Sequence, residues 1–165
     1  NEIEKNSNIK WEISKKSGNF EQDFINGSPR FIKYSNYQFN YGFIPQTFLS
    51  LKYGGDNDPI DAILLGDKVS IGQIIETIPI GIIKMRDMGE YDHKIVLVKA
   101  DNNKQYSIDE INDIYEDEIL NSINWFENYK GSNIVEFISY DEHDEAKRII
   151  NIGNKYFNKF GIKIR

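Results

Sequence analysis

Cysteine is absent from the 165 residues. That removes disulfides, thiolate zinc sites and a cysteine nucleophile at once. It leaves the compartment undecided by redox logic, with the cytoplasm as the default. Histidine is scarce. His93 and His143 are the only two, neither has a second imidazole at ligand spacing, and both read as surface residues. No apolar run approaches the roughly 18–20 residues of a membrane span, and no basic–apolar–small signal pattern opens the chain. The sequence begins at Asn1 and not at Met, which leaves room for a short leader or tag ahead of it. Repeats, low-complexity tracts and Pro/Gly/Ser linkers are missing too. The length is that of one domain over 1–165, long enough to bury a core without covalent staples. Basic charge is also in short supply: 20 Lys and Arg stand against 26 Asp and Glu, a net charge of −6. A nucleic-acid backbone calls for clustered cations, so neither nucleic acid nor membrane is an expected partner.

What is present changes character along the chain. The first two-thirds read as short strands. Ile9, Trp11 and Ile13 alternate with Lys10, Glu12 and Ser14, a period of two. Phe31–Tyr34 and Tyr41–Ile44 are strand or loop candidates, and Asp61–Leu65, Ile80–Lys84 and Lys94–Val98 are further β-rich runs. Lys16-Ser17-Gly18 and Asp101-Asn102-Asn103 read as turns. Then Ser107 with Glu110 forms a capping-box pattern. Ile111, Ile114, Tyr115, Ile119, Ile123 and Phe126 follow at helical spacing, with Gly131 as the stop. Asn133–Tyr140 reads as a strand. Asp141 is placed to cap a last helix carrying Ile149, Ile150, Gly153 and Phe157 on one stripe. Strands followed by helices predict an α+β domain with a closed or partly closed sheet.

Two acidic clusters carry the chemistry: Asp56-Asn57-Asp58-Pro59-Ile60-Asp61 and Asp87-Met88-Gly89-Glu90-Tyr91-Asp92-His93-Lys94. Oxygen ligands at this density repel one another unless a cation lies between them. Mg²⁺ is a natural guest, because it binds through a few carboxylates plus substrate phosphates. Bound metal inverts the local sign, so an acidic site can hold a polyanion. Pro59 stiffens the first cluster. An EF-hand needs Gly at its sixth position and Glu at its twelfth. Counting from Asp56, those positions hold Asp61 and Asp67, so that loop is excluded. Each cluster alone is compatible with a solvated turn. Together they predict two sides of a multi-metal site, with Lys94 neutralising a phosphate oxygen instead of pairing with Asp92.

The motif Asp56-x-Asp58-Pro59-x-Asp61 resembles the signature of the family I soluble inorganic pyrophosphatases, in their bacterial form. Other pieces fall in that family's order: Glu2, Ile9-Lys10-Trp11-Glu12, Arg30-Phe31, Asn40-Tyr41-Gly42-Phe43-Ile44-Pro45, Lys84-Met85-Arg86-Asp87, Asp92, Lys94 and Phe126-Glu127-Asn128-Tyr129-Lys130. The sequence departs from the pattern in four places. Glu4 stands where Pro is usual, Trp11 for Tyr, Ser28-Pro29 ahead of Arg30 where an acid is common, and Asn57 for Gly. None removes a charged group that the family assigns to the site.

The resemblance implies a five-stranded OB-like β-barrel flanked by two main C-terminal helices. It also implies Mg²⁺-dependent hydrolysis of pyrophosphate to two orthophosphates by a metal-bridged water, with several ions per site. Asp58 would be the general base. Asp56, Asp61 and Asp92 would hold the tightest metals, and Asp87, Glu2 and Glu12 the outer ones. Lys10, Arg30, Lys94 and Lys130 would clamp the phosphates, with Tyr41 and Tyr129 donating hydrogen bonds and Tyr37 in support. The length suits a cytoplasmic homohexamer. Two rivals stay open: another metal-dependent hydrolase of nucleotides or phosphate esters, and a non-enzymatic OB-like single-strand binder, which needs a basic groove with stacking aromatics.

Overall fold

The computed structural model describes residues 1–14, 19–100 and 106–160. The turns expected at Lys16–Gly18 and Asp101–Asn103 lie outside the described residues. The main sheet uses β5 (Asn40–Phe43), β6 (Asp61–Leu64), β7 (Thr77–Asp87), β8 (Glu90–Tyr91), β9 (Lys94–Lys99) and β10 (Val135–Glu142). Its order is β10-β7-β9-β6-β5, with β8 paired to β7. β6 and β9 run parallel and the remaining pairs antiparallel. β1 (Trp11–Ile13) pairs with β2 (Phe20–Gln22), and β3 (Phe24–Ile25) with β4 (Ser28–Pro29), as separate two-stranded ribbons. Phe31–Tyr34 makes only an isolated bridge, Ile9 to Phe31.

The expected closed barrel does not form. The hydrogen-bonded path ends at β5 on one side and β10 on the other. The outer edge of β5 is taken by the N-terminal segment, where Ile3 and Tyr41 exchange backbone hydrogen bonds of 2.9 Å. The three-residue β1 is committed to β2 and cannot bridge the gap. The other edge strand, β10, runs straight into α2 (His143–Phe160).

Both faces of the sheet are covered, which explains why β9 reads as an unbroken apolar run. Alternation sends Val96 and Val98, with Ile63 and Leu65, to a core packed on α1 (Ile108–Asn128) through Ile111, Ile119, Ile123, Trp125 and Phe126. Ile95 and Leu97, with Ala62 and Leu64, go to a second core under Ala146 and Ile149 of α2. Side chains two apart share a face, yet Ile80 belongs to the α1 core and Ile82 to the α2 core. The bulge between Pro79 and Gly81 explains this, because it inserts Ile80 as an extra residue opposite β9.

α1 starts as its sequence predicts. The Ser107 Oγ accepts from the Glu110 N–H at 3.2 Å, and the Glu110 carboxylate accepts from the Ser107 N–H at 2.8 Å. Ile114 faces out. The expected cap at Asp141 is not made. β10 extends through Glu142, and Asp141 instead pairs with Lys84 at 2.6 Å.

Candidate active site

The turn that carries Asp56, Asp58 and Asp61 is held from three directions. The Leu49 N–H donates to the Asp58 carbonyl and the Asn57 N–H to the Leu49 carbonyl, each at 3.0 Å. The buried Thr47 hydroxyl donates to the Ile44 carbonyl at 2.6 Å and accepts from the Ile60 N–H at 3.0 Å. Any side chain at Gly55 would collide with the Leu49 carbonyl. Asn57 has φ +67°, in the left-handed region where asparagine is among the few tolerated non-glycine residues. That accounts for Asn standing where glycine is usual. The Asp56 carboxylate accepts from the Asp58 N–H at 3.1 Å, so the turn is locked before any ligand arrives.

Asp61 opens β6, and Lys94 opens the adjacent parallel strand β9. The Lys94 ammonium is 3% exposed and donates to Asp61 and to Asp92, at 2.5 Å each. Burial alone would lower its pKa, but the two carboxylates override that and push it up. Lys94 thus pairs with Asp92, the contact that the sequence reading sets aside in favour of a phosphate oxygen. The Tyr41 hydroxyl donates to the same Asp61 oxygen at 2.6 Å. Burial, then the Asp61 and Asp92 charges, keep this phenol protonated far above its ordinary range. Asp56, Asp61, Asp92 and His93 line one small pocket. Burial, followed by repulsion from Asp61 and Asp58, raises the Asp56 carboxyl.

A second set lies where β7 ends. The Lys130 ammonium donates to Asp87, and the Tyr129 hydroxyl reaches the same Asp87 oxygen at 3.5 Å. A third set gathers on β1 and its neighbours. Lys10 is 3.9 Å from Glu12 and 4.0 Å from Asp23, and Arg30 pairs with Asp23 at 3.0 Å.

Electrostatics join the three sets. The Tyr129 phenol is raised by burial and then by Asp87, and it also feels Lys94, Asp92 and Arg30. Tyr37 is raised by burial and then by Tyr129, and feels Lys94, Arg30 and Asp61. Tyr37 lies 5.7 Å from the Tyr41 ring and 4.3 Å from Trp125, on which Tyr129 stacks at 4.8 Å. Packing of these rings sets the phenol positions. Glu2 is placed beside this wall by its N–H, which donates to the Tyr41 carbonyl at 2.7 Å.

Asp23 was not singled out in the sequence. It sits between two ribbons, and nothing local marks it. His93 was expected at the surface. Its ring instead accepts from the Met85 N–H at 3.3 Å and packs against Gly54, where no side chain would fit.

Among the described residues, no three carboxylate or imidazole groups converge into a ready-made metal cage. Lys94 takes part of the oxygen set for itself. The residues nonetheless fit a hard cation. The donors are all oxygens, as Mg²⁺ prefers. The Asp87 Oδ1 is buried with no hydrogen-bond partner, a costly condition that a cation would relieve.

The inorganic pyrophosphatase family model matches residues 1–158. An inorganic pyrophosphatase of Encephalitozoon cuniculi is 36% identical over 138 residues, covering 73% of this chain and 50% of that protein. A human inorganic pyrophosphatase is 34% identical over 146 residues, covering 78% and 50%. The chain thus spans about half the length of the curated relatives it matches. Among solved structures, the inorganic pyrophosphatase of Helicobacter pylori superposes with a TM-score of 0.79 at 27% identity, over 95% of this chain and 90% of that one. A truncated Trypanosoma cruzi vacuolar soluble pyrophosphatase, solved in complex with PPi, superposes at 0.84 with 28% identity, over 96% and 67%. With the family model spanning nearly every residue and the acidic signature held in one locked turn, the chain belongs to family I of the inorganic pyrophosphatases.

Proposed function

We propose that this chain, as one domain over 1–165, hydrolyses inorganic pyrophosphate to two orthophosphates with Mg²⁺ as cofactor. The observations that carry the reading are the Asp61–Lys94–Asp92 arrangement and the unpartnered Asp87 oxygen, in a chain of this family. Asp56, Asp61 and Asp92 would hold the tightest metals, and Asp87, Glu2 and Glu12 the outer ones. Bound metal supplies charge neutralisation on the phosphates and a water acidified toward hydroxide.

The chain's own groups do the rest. Asp58 takes the proton of the attacking water, from a turn that its own N–H helps to rigidify. Lys10, Arg30, Lys94 and Lys130 hold the phosphoryl oxygens. Arg30 does so as a planar fork and the lysines as point charges. Tyr41 and Tyr129 stay protonated and donate hydrogen bonds, and Tyr37 braces both. The cations that serve substrate here rest on carboxylates, Lys94 on Asp61 and Asp92, Lys130 on Asp87, Arg30 on Asp23. Engaging those carboxylates elsewhere would release the cations to phosphate.

We further propose self-association into a homohexamer in the cytoplasm, with no nucleic-acid or membrane partner; sedimentation equilibrium tests the assembly. The decisive assay is orthophosphate release from pyrophosphate with Mg²⁺ and again with chelator. Release that chelator abolishes is the expected result. Inertness toward pyrophosphate with turnover of nucleotides or phosphate monoesters would transfer the site to the rival hydrolase class.

A further inference from the structure

The His93 ring lines both the acidic pocket and a second, larger groove between the Lys52–Gly54 turn, β7, β10 and α2. This groove measures about 620 Å³, within the range of small-molecule sites. None of the proposed catalytic, metal or phosphate-holding residues lines it.

Its charge runs against that of the molecule. Four cations, Lys52, Lys84, Arg86 and Arg148, face two carboxylates, Glu136 and Glu145, in a chain of net charge −6. A concave surface with a local excess of one sign concentrates ligands of the other. The four are not equivalent. Lys84 is held by Asp141 at 2.6 Å and Glu145 at 2.8 Å, and Arg148 grips Glu145 at 2.6 and 2.8 Å. Arg86 has only a 3.7 Å approach to the exposed Glu136 and a 3.1 Å hydrogen bond to the Tyr91 hydroxyl. Its guanidinium lies 4.9 Å from the Tyr91 ring centre. The Lys52 ammonium lies 5.3 Å from the Tyr53 ring. The two loosely held cations therefore each sit on a tyrosine, and both tyrosines line the groove. Each cation covers a face of its tyrosine, and a second ring meets each one edge-on, Tyr156 at Tyr53 and His93 at Tyr91; a planar base takes the covered face as the cation turns from the ring to a phosphate.

We propose that this groove is a binding site for a nucleoside diphosphate. Its base stacks on Tyr53 or Tyr91, and its two phosphates lie between Lys52 and Arg86.

The test uses ADP in chelator, so that no metal-dependent turnover intervenes. Calorimetry of the wild-type chain should show saturable binding. The double variant Lys52→Gln/Arg86→Gln should lose at least about tenfold in affinity, about 1.4 kcal/mol, with an unchanged melting temperature. Tyr53→Ala should weaken ADP but not inorganic phosphate. Photolabelling with 8-azido-ADP, sequenced to the residue, should mark Tyr53 or Tyr91 or their groove-lining neighbours. The proposal is overturned if ADP does not bind at millimolar concentration, or if the double variant binds like wild type. It is equally overturned if phosphate alone binds as tightly as ADP, or if the labelled residue is Asp61, Lys94 or Tyr129. None of these readings depends on pyrophosphate hydrolysis, so failure here leaves the proposed function standing, and the reverse also holds.

Discussion

Lys94, proposed to hold phosphate, already holds two aspartates. Its ammonium is almost fully buried between carboxylates that are about a quarter exposed. Lys94→Met would leave Asp61 and Asp92 facing each other uncompensated. Removing one partner of a buried pair costs about 3–5 kcal/mol, and the partial exposure of the aspartates places this case near the lower end. Urea unfolding in chelator should show that loss, and added Mg²⁺ should recover part of it. Asp61→Asn removes the oxygen shared by Lys94 and Tyr41. A Mg²⁺ titration of pyrophosphate hydrolysis should show a requirement raised by about tenfold or more, a range measured even for groups one shell further out. Asp58→Asn should leave that requirement nearly intact and lower kcat; unchanged steady-state kinetics in this variant would remove Asp58 from its role. At Asn57, φ +67° makes side-chain shape decisive. Asn57→Val should cost about 1–2 kcal/mol in thermal unfolding, whereas Asn57→Gly should be near neutral. The motif residues were legible because the chemistry of crowded carboxylates is local. Asp23 was not, because its meaning comes from Arg30 across a ribbon, a contact that no spacing rule anticipates. His93 was misread for a similar reason: only the fold brings the Gly54 turn onto its ring.

Among the elements, β7 is the longest strand and the one most exposed to single changes. Its Gly81 sits at the bulge under Tyr140, and a methyl group there would collide with the phenol oxygen and ring. Overpacking of this kind costs about 1–3 kcal/mol. Gly81→Ala should therefore lower the unfolding midpoint and disturb the Tyr140 hydrogen bond to Asn112, now 2.6 Å. The helices were the most legible elements, since the capping box and the 3.6-residue stripe are written in nearby residues. β9 was legible as a strand, but its burial on both faces was not. Closure was the expectation that failed. It depends on which edge finds a partner, and here the N-terminal segment takes the edge of β5. At the start of α2, Glu145 joins Lys84 of β7 to Arg148 one turn on. Its hydrogen bonds to Arg148, then to Lys84, hold its carboxyl down at about 2, below the unfolded value of about 4.3. The stabilisation from this group is complete above the unfolded pKa and drains away as pH falls through the folded one. Urea midpoints measured from pH 5 to pH 2 should fall less steeply in Glu145→Gln than in wild type.

Across the whole molecule, the acidic turn and Lys94 meet where β6 and β9 run side by side, the tyrosine wall leans on α1, and Arg30 arrives from a ribbon outside the sheet. The hollow is assembled from parts that fold for their own packing reasons. The internal ammonium gives this architecture a consequence for the newly made chain. Because a resident positive group already balances two of the aspartates, the hollow can take shape in surroundings poor in divalent ions. Loading with the proposed metals would then be an exchange of one counter-charge for another, and the polypeptide would not need them in order to fold.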